Sequence, residues 1–253
     1  MSENRTALIT GATSGIGEAT ARLLAEHNFR LILCGRRKER LENLQRDLGN
    51  KTDVTVLSFD VRNKKEVLEA FQSLDEKWKQ IDVLINNAGN AHGLAPIQSG
   101  SVDDWDAMID INVKGLLYVS HEVLPGMVKK NHGHIINIGS IAGKEAYPNG
   151  NVYCASKFAV DAITKGMRID LNAHGIKVTA IHPGLVETEF SLVRFKGDEE
   201  RANTVYKGYE PLKPEDIADM ILFALTRPPH VVMADLVVFP TAQASSTIVK
   251  KDL

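Results

Sequence analysis

Cysteine is scarce in this sequence: Cys34 and Cys154 are the only two among 253 residues. Both lie in apolar stretches, which favours small buried side chains and argues against a disulfide. Long apolar runs are missing too, because no stretch approaches the length of a membrane span, and the start MSENRTALIT lacks the basic and apolar regions of a secretory signal. These absences predict a cytoplasmic protein with no membrane partner.

An excess of either charge is also missing. The 30 Lys and Arg residues nearly balance the 32 Asp and Glu residues, for a net charge of −2, and no basic block stands out that could follow a phosphate backbone. Nucleic acid is therefore not an expected partner. His132 and His134 alternate as two strand ligands of a metal would, but no third ligand accompanies them, so no metal is expected.

Apolar, β-branched segments recur along the chain, with helical patterns between them. The seven segments are TALIT, RLILCG, VTVLSFD, IDVLINNAG, HIINIGS, IKVTAIHPG and LVVFP. They are apolar almost throughout, as strands are when helices cover both faces of a parallel sheet. The sequence therefore predicts an α/β fold with a doubly wound, seven-stranded parallel sheet, which is the Rossmann fold.

No repeat, low-complexity segment or proline-rich linker divides the chain, so residues 1–253 are expected to form a single domain. One segment departs from the strand and helix alternation. Residues from about 185 to 212, just before the helix predicted to begin near Pro214, are charged and only weakly periodic. We expect them to be an insertion that covers a substrate, and call them the lid segment.

Three glycines, Gly11, Gly15 and Gly17, lie between the first predicted strand and the helix that follows it. Without Cβ atoms the backbone can turn sharply and approach a ligand closely, while the N–H groups and dipole of the helix start favour an anion. Such a loop suits the pyrophosphate of a dinucleotide. A glycine pattern alone also fits a plain turn.

The end of the second predicted strand bears on the dinucleotide hypothesis, because dinucleotide folds contact the adenosine ribose there. A site that prefers NAD carries a carboxylate at this place, whereas here Gly35 is followed by Arg36 and Arg37. Two guanidinium groups can bind a 2′-phosphate, so the predicted cofactor is NADP. For Arg37 the alternative is the solvated first turn of a helix. Asp60, at the end of the third strand, is a candidate for the adenine amino group or an ordinary loop carboxylate.

Tyr153 and Lys157 are four residues apart in a segment with helical spacing, which places both side chains on one face. Spacing alone is weak evidence, because Tyr209 and Lys213 share it around Pro211, where a helix is disfavoured. Context separates the two pairs. The fourth and fifth strands end in NNAG and NIGS, on the cofactor side of the sheet, beside the first pair.

A tyrosine hydroxyl has an ordinary pKa of about 10, which is too high for a base at neutral pH. We expect the ammonium of Lys157 and a cofactor cation to lower the pKa of Tyr153. Ser140, at the end of the fifth strand, is either a donor to a substrate oxygen or a capping hydroxyl.

These segments together resemble the short-chain dehydrogenase/reductase family. The resemblance rests on TGATSGIG, NNAG, Asn112, Ser140, the Tyr153 and Lys157 pair, and PG followed by Thr188, so it spans most of the chain. It implies Tyr153 as general acid/base, Lys157 as its partner and ribose ligand, Ser140 as donor to the substrate oxygen, and Asn112 as holder of a proton-relay water.

The same resemblance implies an extended cofactor site, in which Thr188 would contact the nicotinamide carboxamide. Its members are Gly11, Ser14, Gly15, Ile16, Gly17, Arg36, Arg37, Asp60, Val61, Asn87, Ala88, Gly89, Tyr153, Lys157, Pro183, Gly184, Val186 and Thr188.

The lid segment and the tail LVVFPTAQAS resemble a narrower group, the NADP-dependent 3-hydroxy acid dehydrogenases, which act on L-allo-threonine, L-serine and related compounds. The resemblance implies oxidation of a C3 hydroxyl, or reduction of 3-oxo acids such as malonic semialdehyde. A small hydroxy acid needs a cation for its carboxylate, and Arg194 and Lys196 are the candidates, with Ser140 and Tyr153 completing the substrate site. The alternative is that these lid cations face water or pair with Glu199 and Glu200.

Two rival functions remain open: a non-catalytic NADP-binding module, and a carbonyl reductase of bulkier ketones, which the strong charge of the lid segment disfavours. The helices around residues 103–128 and 155–171 are long and apolar on more than one side, and the resemblance implies that such helices form subunit interfaces. A homotetramer is therefore expected.

Overall fold

A computed structural model describes residues 5–252. It contains seven strands: β1 Thr6–Thr10, β2 Arg30–Gly35, β3 Val54–Ser58, β4 Val83–Asn86, β5 Gly133–Ile138, β6 Ile176–Pro183 and β7 Asp235–Val238. All pair in parallel, in the order β3-β2-β1-β4-β5-β6-β7. The predicted doubly wound seven-stranded parallel sheet is therefore confirmed.

Helices connect the strands and cover both faces of the sheet. They are α1 Gly15–Glu26, α2 Lys38–Leu48, α3 Lys64–Gln72, α4 Val102–Ile109, α5 Gly115–Lys130, α6 Asn151–Leu171, α7 Phe190–Arg194, α8 Glu199–Val205 and α9 Pro214–Leu225. Within residues 5–252, none of the helices combines the length and the apolar character needed to traverse a bilayer.

Alternate residues of each central strand enter two separate cores, one on each side of the sheet. In β1, Ile9 packs into the core shared with α1, α2 and α9, whereas Leu8 packs into the core shared with α3, α5 and α6. The same division separates Leu33 from Ile32 in β2. Continuous apolar strands are required because both faces of the sheet are buried.

The chain runs from β1 outward to β3 and then returns to β4 on the other side of β1. This reversal leaves a crevice beyond the carboxyl ends of β1 and β4, which is where doubly wound sheets bind ligands. The two strand ends are joined by hydrogen bonds: Thr10 Oγ1 accepts from the backbone N–H groups of Asn87 and Ala88, each at 3.0 Å.

Helices α4 and α5 are one continuous helix interrupted by a single π-helical turn, Asp110–Lys114. A π-helical turn holds an extra residue and is often found at functional sites. Here it contains Asn112, which is buried.

The lid segment contains α7 and α8, and its two ends are tied together. Glu187 N–H donates to the carbonyl of Leu212 at 2.8 Å, and Leu212 N–H donates to the carbonyl of Leu185 at 3.0 Å. The C-terminal tail crosses the segment, because Asp252 N–H donates to the carbonyl of Gly208 at 2.8 Å. The segment is therefore a closed loop held at its base and along one side.

Candidate active site

The glycine-rich loop lies at the start of the crevice, between β1 and α1. Gly11 has φ +66°, a conformation that disfavours side chains. A Cβ at Gly17 would lie 2.3 Å from the carbonyl oxygen of Gly11, so only glycine lets the first turn of α1 approach the loop this closely. Ser14, Gly15 and Ile16 line the crevice at the helix start, where N–H groups and the helix dipole favour an anion.

Arg37 is fixed against this loop. Its guanidinium donates to Thr13 Oγ1 at 3.0 Å, to Ser14 Oγ at 2.6 Å and to Glu189 Oε2 at 2.7 Å. The alternative of a merely solvated Arg37 is therefore wrong, because the side chain turns toward the glycine loop although it precedes α2.

Arg36 is held less firmly than Arg37. Its Nη1 lies 3.5 Å from Asp60 Oδ2, and Asp60 is itself gripped by Arg62, whose guanidinium contacts both carboxylate oxygens at 2.7–3.1 Å. Burial raises the pKa of Asp60, but the hydrogen bonds and charge of Arg62 outweigh it and leave the pKa below its usual value. Asp60 and Arg36 both line the crevice.

Lys157 lies one helical turn after Tyr153 on α6, and the two share the buried end of the crevice. The ammonium donates to the carbonyl of Ile138 at 3.0 Å, and no carboxylate pairs with it among residues 5–252. Burial therefore lowers the pKa of Lys157 to about 8. Gly89 makes room for this group, since a Cβ there would lie 3.5 Å from Lys157 Nζ and 2.9 Å from Asn112 Oδ1.

Tyr153 is also buried, and burial raises the pKa of its phenol well above the ordinary value. Proximity to Tyr147 raises the pKa further, while the charge of Arg194 and the hydroxyl of Ser140 lower it. Burial outweighs the nearby charges, and the cation that lowers the pKa of Tyr153 in the structure is Arg194. That Lys157 and a cofactor cation together lower this pKa stays a prediction. The raised pKa keeps the phenol protonated at neutral pH.

Ser140 follows β5 and lines the crevice beside Tyr153. Its Oγ accepts from the N–H of Ala142 at 3.1 Å, so it caps the short turn Ile141–Gly143. The capping role is therefore confirmed. The donor role stays a prediction, and it is compatible with the cap because a hydroxyl that accepts one bond still has its own proton to donate.

Asn112 sits behind the crevice rather than on its wall. Its Nδ2 donates to the carbonyl of Asn90 at 2.8 Å and to Ser156 Oγ at 3.0 Å, and its Oδ1 accepts from Asn90 N–H at 2.9 Å. The amide thereby joins the π-helical turn to α6 and to the loop after β4.

Arg194, at the end of α7, points into the crevice above Tyr153. Its guanidinium carbon lies 5.0 Å from the centre of the Tyr153 ring and 5.2 Å from that of Phe190, and Nη2 donates to the hydroxyl of Tyr147 at 2.5 Å. Its Nε is buried without a hydrogen-bond partner in the described chain. Lys196, the other candidate, is instead paired with Asp104 at 3.0 Å.

These parts enclose one cavity of about 440 Å³ that runs from the glycine loop to the lid segment. It brings together every residue predicted for the cofactor and substrate sites except Gly17, which packs beneath the loop, and the second carboxylate candidate Lys196. Of the four catalytic predictions, only Asn112 is outside it.

A family model for short chain dehydrogenases matches residues 5–198. The chain belongs to the short-chain dehydrogenase family. The NADP-dependent 3-hydroxy acid dehydrogenase YdfG of Salmonella typhi is 48% identical over 238 residues, covering 94% of this chain and 95% of that protein. Sulfoacetaldehyde reductase 2 of Chromohalobacter salexigens is 44% identical over 240 residues, covering 94% and 95%. The closed form of serine dehydrogenase complexed with NADP+ is 44% identical with a TM-score of 0.92, covering 98% of this chain and 100% of that one.

This short-chain dehydrogenase also has crevice residues that sequence reasoning missed: Thr13, Tyr147, Glu189 and Gln243. Gln243 is buried under the end of β6, where its Oε1 accepts from Leu185 N–H at 2.9 Å. Thr13 lies inside the quoted segment TGATSGIG, but its contact with Arg37 is not readable from that motif. Tyr147, Glu189 and Gln243 belong to no pattern that separates them from ordinary loop residues.

A cluster of three potential metal ligands was also not predicted from the sequence. Atoms of Asp161, His182 and Asp235 lie within 4.8 Å of one another, but the Lys144 ammonium donates to both carboxylates at 2.8 and 2.7 Å. A cation of the protein itself therefore already balances this group. His134 is hydrogen-bonded to Thr179 Oγ1 at 2.8 Å in the interior, and Cys34 and Cys154 are free and buried as expected.

Proposed function

We propose that this short-chain dehydrogenase transfers a hydride between NADP and the C3 atom of small 3-hydroxy acids, such as L-serine, L-allo-threonine and 3-hydroxypropionate, or reduces malonic semialdehyde in the reverse direction. The observation that carries the substrate class is Arg194, a half-buried side chain whose Nε is buried and has no hydrogen-bond partner in the described chain, and whose guanidinium carbon lies 5.0 Å from the centre of the Tyr153 ring. The names of the relatives favour the same substrates.

The residues of the crevice fit NADP. The glycine loop lies against the N-terminus of α1, and Cβ atoms at Gly11 and Gly17 would obstruct it. The free backbone N–H groups there can bind a pyrophosphate. Arg37 and Arg36 lie beyond β2, where the 2′-phosphate of the adenosine ribose would reach them. The wall beyond β4 and β6, which includes Ala88, Pro183 and Thr188, would hold the nicotinamide end.

When bound, the nicotinamide accepts or supplies the hydride. Tyr153 gives its proton to the carbonyl oxygen during reduction, a step for which a raised pKa keeps it protonated. Ser140 donates a hydrogen bond from its hydroxyl to the same oxygen and keeps its proton. Oxidation needs the phenolate, which Arg194 and the Lys157 ammonium favour.

Lys157 and Asn112 act behind this oxygen site. The Lys157 ammonium has three N–H donors and uses one of them on the carbonyl of Ile138. The others can bind the ribose hydroxyls. Asn112 keeps Asn90 and α6 in place, and holds the water through which the proton leaves.

Arg194 binds the substrate carboxylate. An unpaired guanidinium N–H in a buried site gains a charge-assisted hydrogen bond when a carboxylate enters. The sulfonate of sulfoacetaldehyde offers the same acceptor oxygens, and one relative is a sulfoacetaldehyde reductase, so this compound belongs in the assay.

We also propose that residues 1–253 form one catalytic domain with the lid segment as its cover, and that four copies assemble. Three apolar side chains on α5 and α6, Leu117, Phe158 and Ile169, are exposed in the single chain, Ile169 by 77%. Free, buried cysteines suit the reducing cytoplasm. Sedimentation at a mass near 28 kDa, the mass of one chain, would contradict the tetramer.

The deciding experiment measures initial rates of NADP⁺ reduction with L-serine, L-allo-threonine, 3-hydroxypropionate and neutral secondary alcohols, and of NADPH oxidation with sulfoacetaldehyde. We expect turnover of the acids with NADP, and a loss of about 10²–10⁴-fold in kcat for Tyr153→Phe. Turnover of neutral alcohols alone would leave a general carbonyl reductase. Tight NADP⁺ binding without turnover would indicate a binding module.

Arg194→Gln tests the carboxylate site directly. We expect the KM for 3-hydroxypropionate to rise about 10- to 100-fold, because a hydrogen bond to a charged group contributes about 1.5–3 kcal/mol. The KM of a neutral alcohol should not rise. Lys196→Gln is the matched control, because it removes a cation from the same lid segment outside the crevice. Equal kinetics for the two variants would remove Arg194 from the site.

A further inference from the structure

All three nitrogen positions of the Arg37 guanidinium are engaged. Nε and Nη2 bind Thr13 and Ser14 of the glycine loop, and Nη1 binds the carboxylate of Glu189 at 2.7 Å. The second carboxylate oxygen of Glu189 accepts from Arg40 at 2.8 Å. An acidic residue of the lid segment therefore already occupies the arginine that the 2′-phosphate requires.

Glu189 is charged whenever this site is in use. Burial raises the pKa of its carboxyl, but hydrogen bonds and charge from Arg37 and Arg40 outweigh this and bring the pKa down to about 2. A 2′-phosphate arriving at Arg37 meets this negative charge at hydrogen-bond distance from the same guanidinium. Two anions cannot both approach Nη1 without repulsion.

Glu189 has a second partner available. Arg40 lies one turn further along α2 and does not line the crevice, so Glu189 can keep one ion pair while releasing the other. The pair with Arg37 is about 40% exposed on both sides, which makes its exchange inexpensive in free energy.

We propose that Glu189 is a cofactor-specificity residue that competes with the 2′-phosphate for Arg37, so that NADP binding breaks the Glu189–Arg37 pair and leaves Glu189 paired with Arg40 alone. The proposal rests on the proposed NADP specificity. It adds that part of the free energy of binding the 2′-phosphate is spent on breaking the Glu189–Arg37 pair. It also connects the two ends of the crevice, because Glu189 directly precedes α7 and Arg194 ends that helix.

The test is calorimetric titration of wild type and Glu189→Gln with 2′,5′-ADP and 5′-AMP, which carry no nicotinamide, and with NADP⁺ and NAD⁺. Because an exposed ion pair contributes at most about 1 kcal/mol, we expect the variant to bind 2′,5′-ADP and NADP⁺ about three- to fivefold more tightly. Binding of 5′-AMP and NAD⁺ should be unchanged.

Glu187→Gln is the matched control, because it removes the same charge from the same segment. Its carboxylate pairs with Lys213 and does not line the crevice. Tightening common to both variants would be a general charge effect and would overturn the proposal.

Three other results would also overturn it. Unchanged affinity in Glu189→Gln would mean that breaking the Glu189–Arg37 pair costs no measurable free energy. Weaker binding would mean that Glu189 holds Arg37 in its productive position. Equal tightening for all four ligands would mean that the lid segment, not the 2′-phosphate, is affected. The proposed NADP specificity fails separately, if wild type binds 5′-AMP as tightly as 2′,5′-ADP.

Discussion

Lys157 and Arg37 provide positive charge on the two sides of the point where the strand order reverses, and their surroundings differ. Lys157 is 6% exposed and contacts a carbonyl, whereas the side chain of Arg37 is 40% exposed and contacts two hydroxyls and a carboxylate. Burial lowers the pKa of Lys157, whereas hydrogen bonds to its partners fix the position of the Arg37 side chain. An exposed cation such as Arg37 can exchange one hydrogen-bond partner for another when a ligand binds. A buried cation such as Lys157 has little to exchange, and burial instead alters its pKa.

The largest expected effect comes from removing the buried cation. Lys157→Met should lower kcat by about 100-fold or more, since the acid/base step loses its neighbouring charge. It should also stabilise the fold at pH 7 by about 1–2 kcal/mol, because relief of about 3 kcal/mol of desolvation is partly offset by an unpaired carbonyl. Thermal or urea unfolding measures this difference.

The stability difference depends on pH in a defined direction. The folded pKa of Lys157, about 8, lies below the ordinary 10.5, so the unfolded chain binds more protons between these values. Wild type therefore gains stability as the pH rises through this window. The advantage of Lys157→Met should vanish within the window and reverse above it, where only the cost of the unpaired carbonyl remains. Lys165→Met, on the exposed side of α6, should show neither the loss of kcat nor this pH dependence. A pH-independent advantage would contradict the buried charge.

Removing the exposed cation should give a smaller effect that depends on the ligand. Arg37→Met is expected to weaken NADP⁺ binding by about 10- to 100-fold and NAD⁺ binding by less than about twofold, because only the 2′-phosphate loses charged hydrogen bonds. Equilibrium titration of both cofactors measures this. Arg46→Met, a loss of an exposed arginine on the same helix, is the control. An equal loss for NAD⁺ would mean that Arg37 acts by supporting Thr13 and Ser14.

Raising the salt concentration should affect Arg37 and Lys157 differently, and this is the smallest of the expected effects. Exposed charges are screened at high ionic strength, so raising NaCl from about 0.05 to 0.5 M should weaken NADP⁺ binding by about two- to fivefold. The kcat at saturating cofactor should change little, because Lys157 is buried. A salt-dependent kcat with unchanged cofactor affinity would mean that Lys157, and not Arg37, is the cation exposed to screening.

The sheet and the glycine loop were predictable because each follows from local signals. Seven apolar segments define the strands, and Gly11 and Gly17 stand where the backbone must turn and approach closely. Arg37 was identified by its distance from the glycines along the chain. These features depend on residue type at short range, which a sequence displays directly.

The partners of the same residues were not predictable. Glu189 is 152 residues from Arg37, and nothing separates it from the other acidic residues of the lid segment. The Lys157 ammonium contacts a backbone carbonyl, which every residue possesses. The raised pKa of Tyr153 results from burial by Tyr147 and Phe190, whose packing against it appears only in three dimensions.

The π-helical turn Asp110–Lys114 holds one residue more than a turn of regular α-helix. Each residue of an α-helix advances about 100° around the axis, so one added residue would normally turn the rest of the helix away from its contacts. The wide turn absorbs that residue, and α4 and α5 both keep their buried faces. Asn112 lies in that wide turn with its amide buried, so we expect a one-residue deletion there to give a regular α-helix without this buried amide.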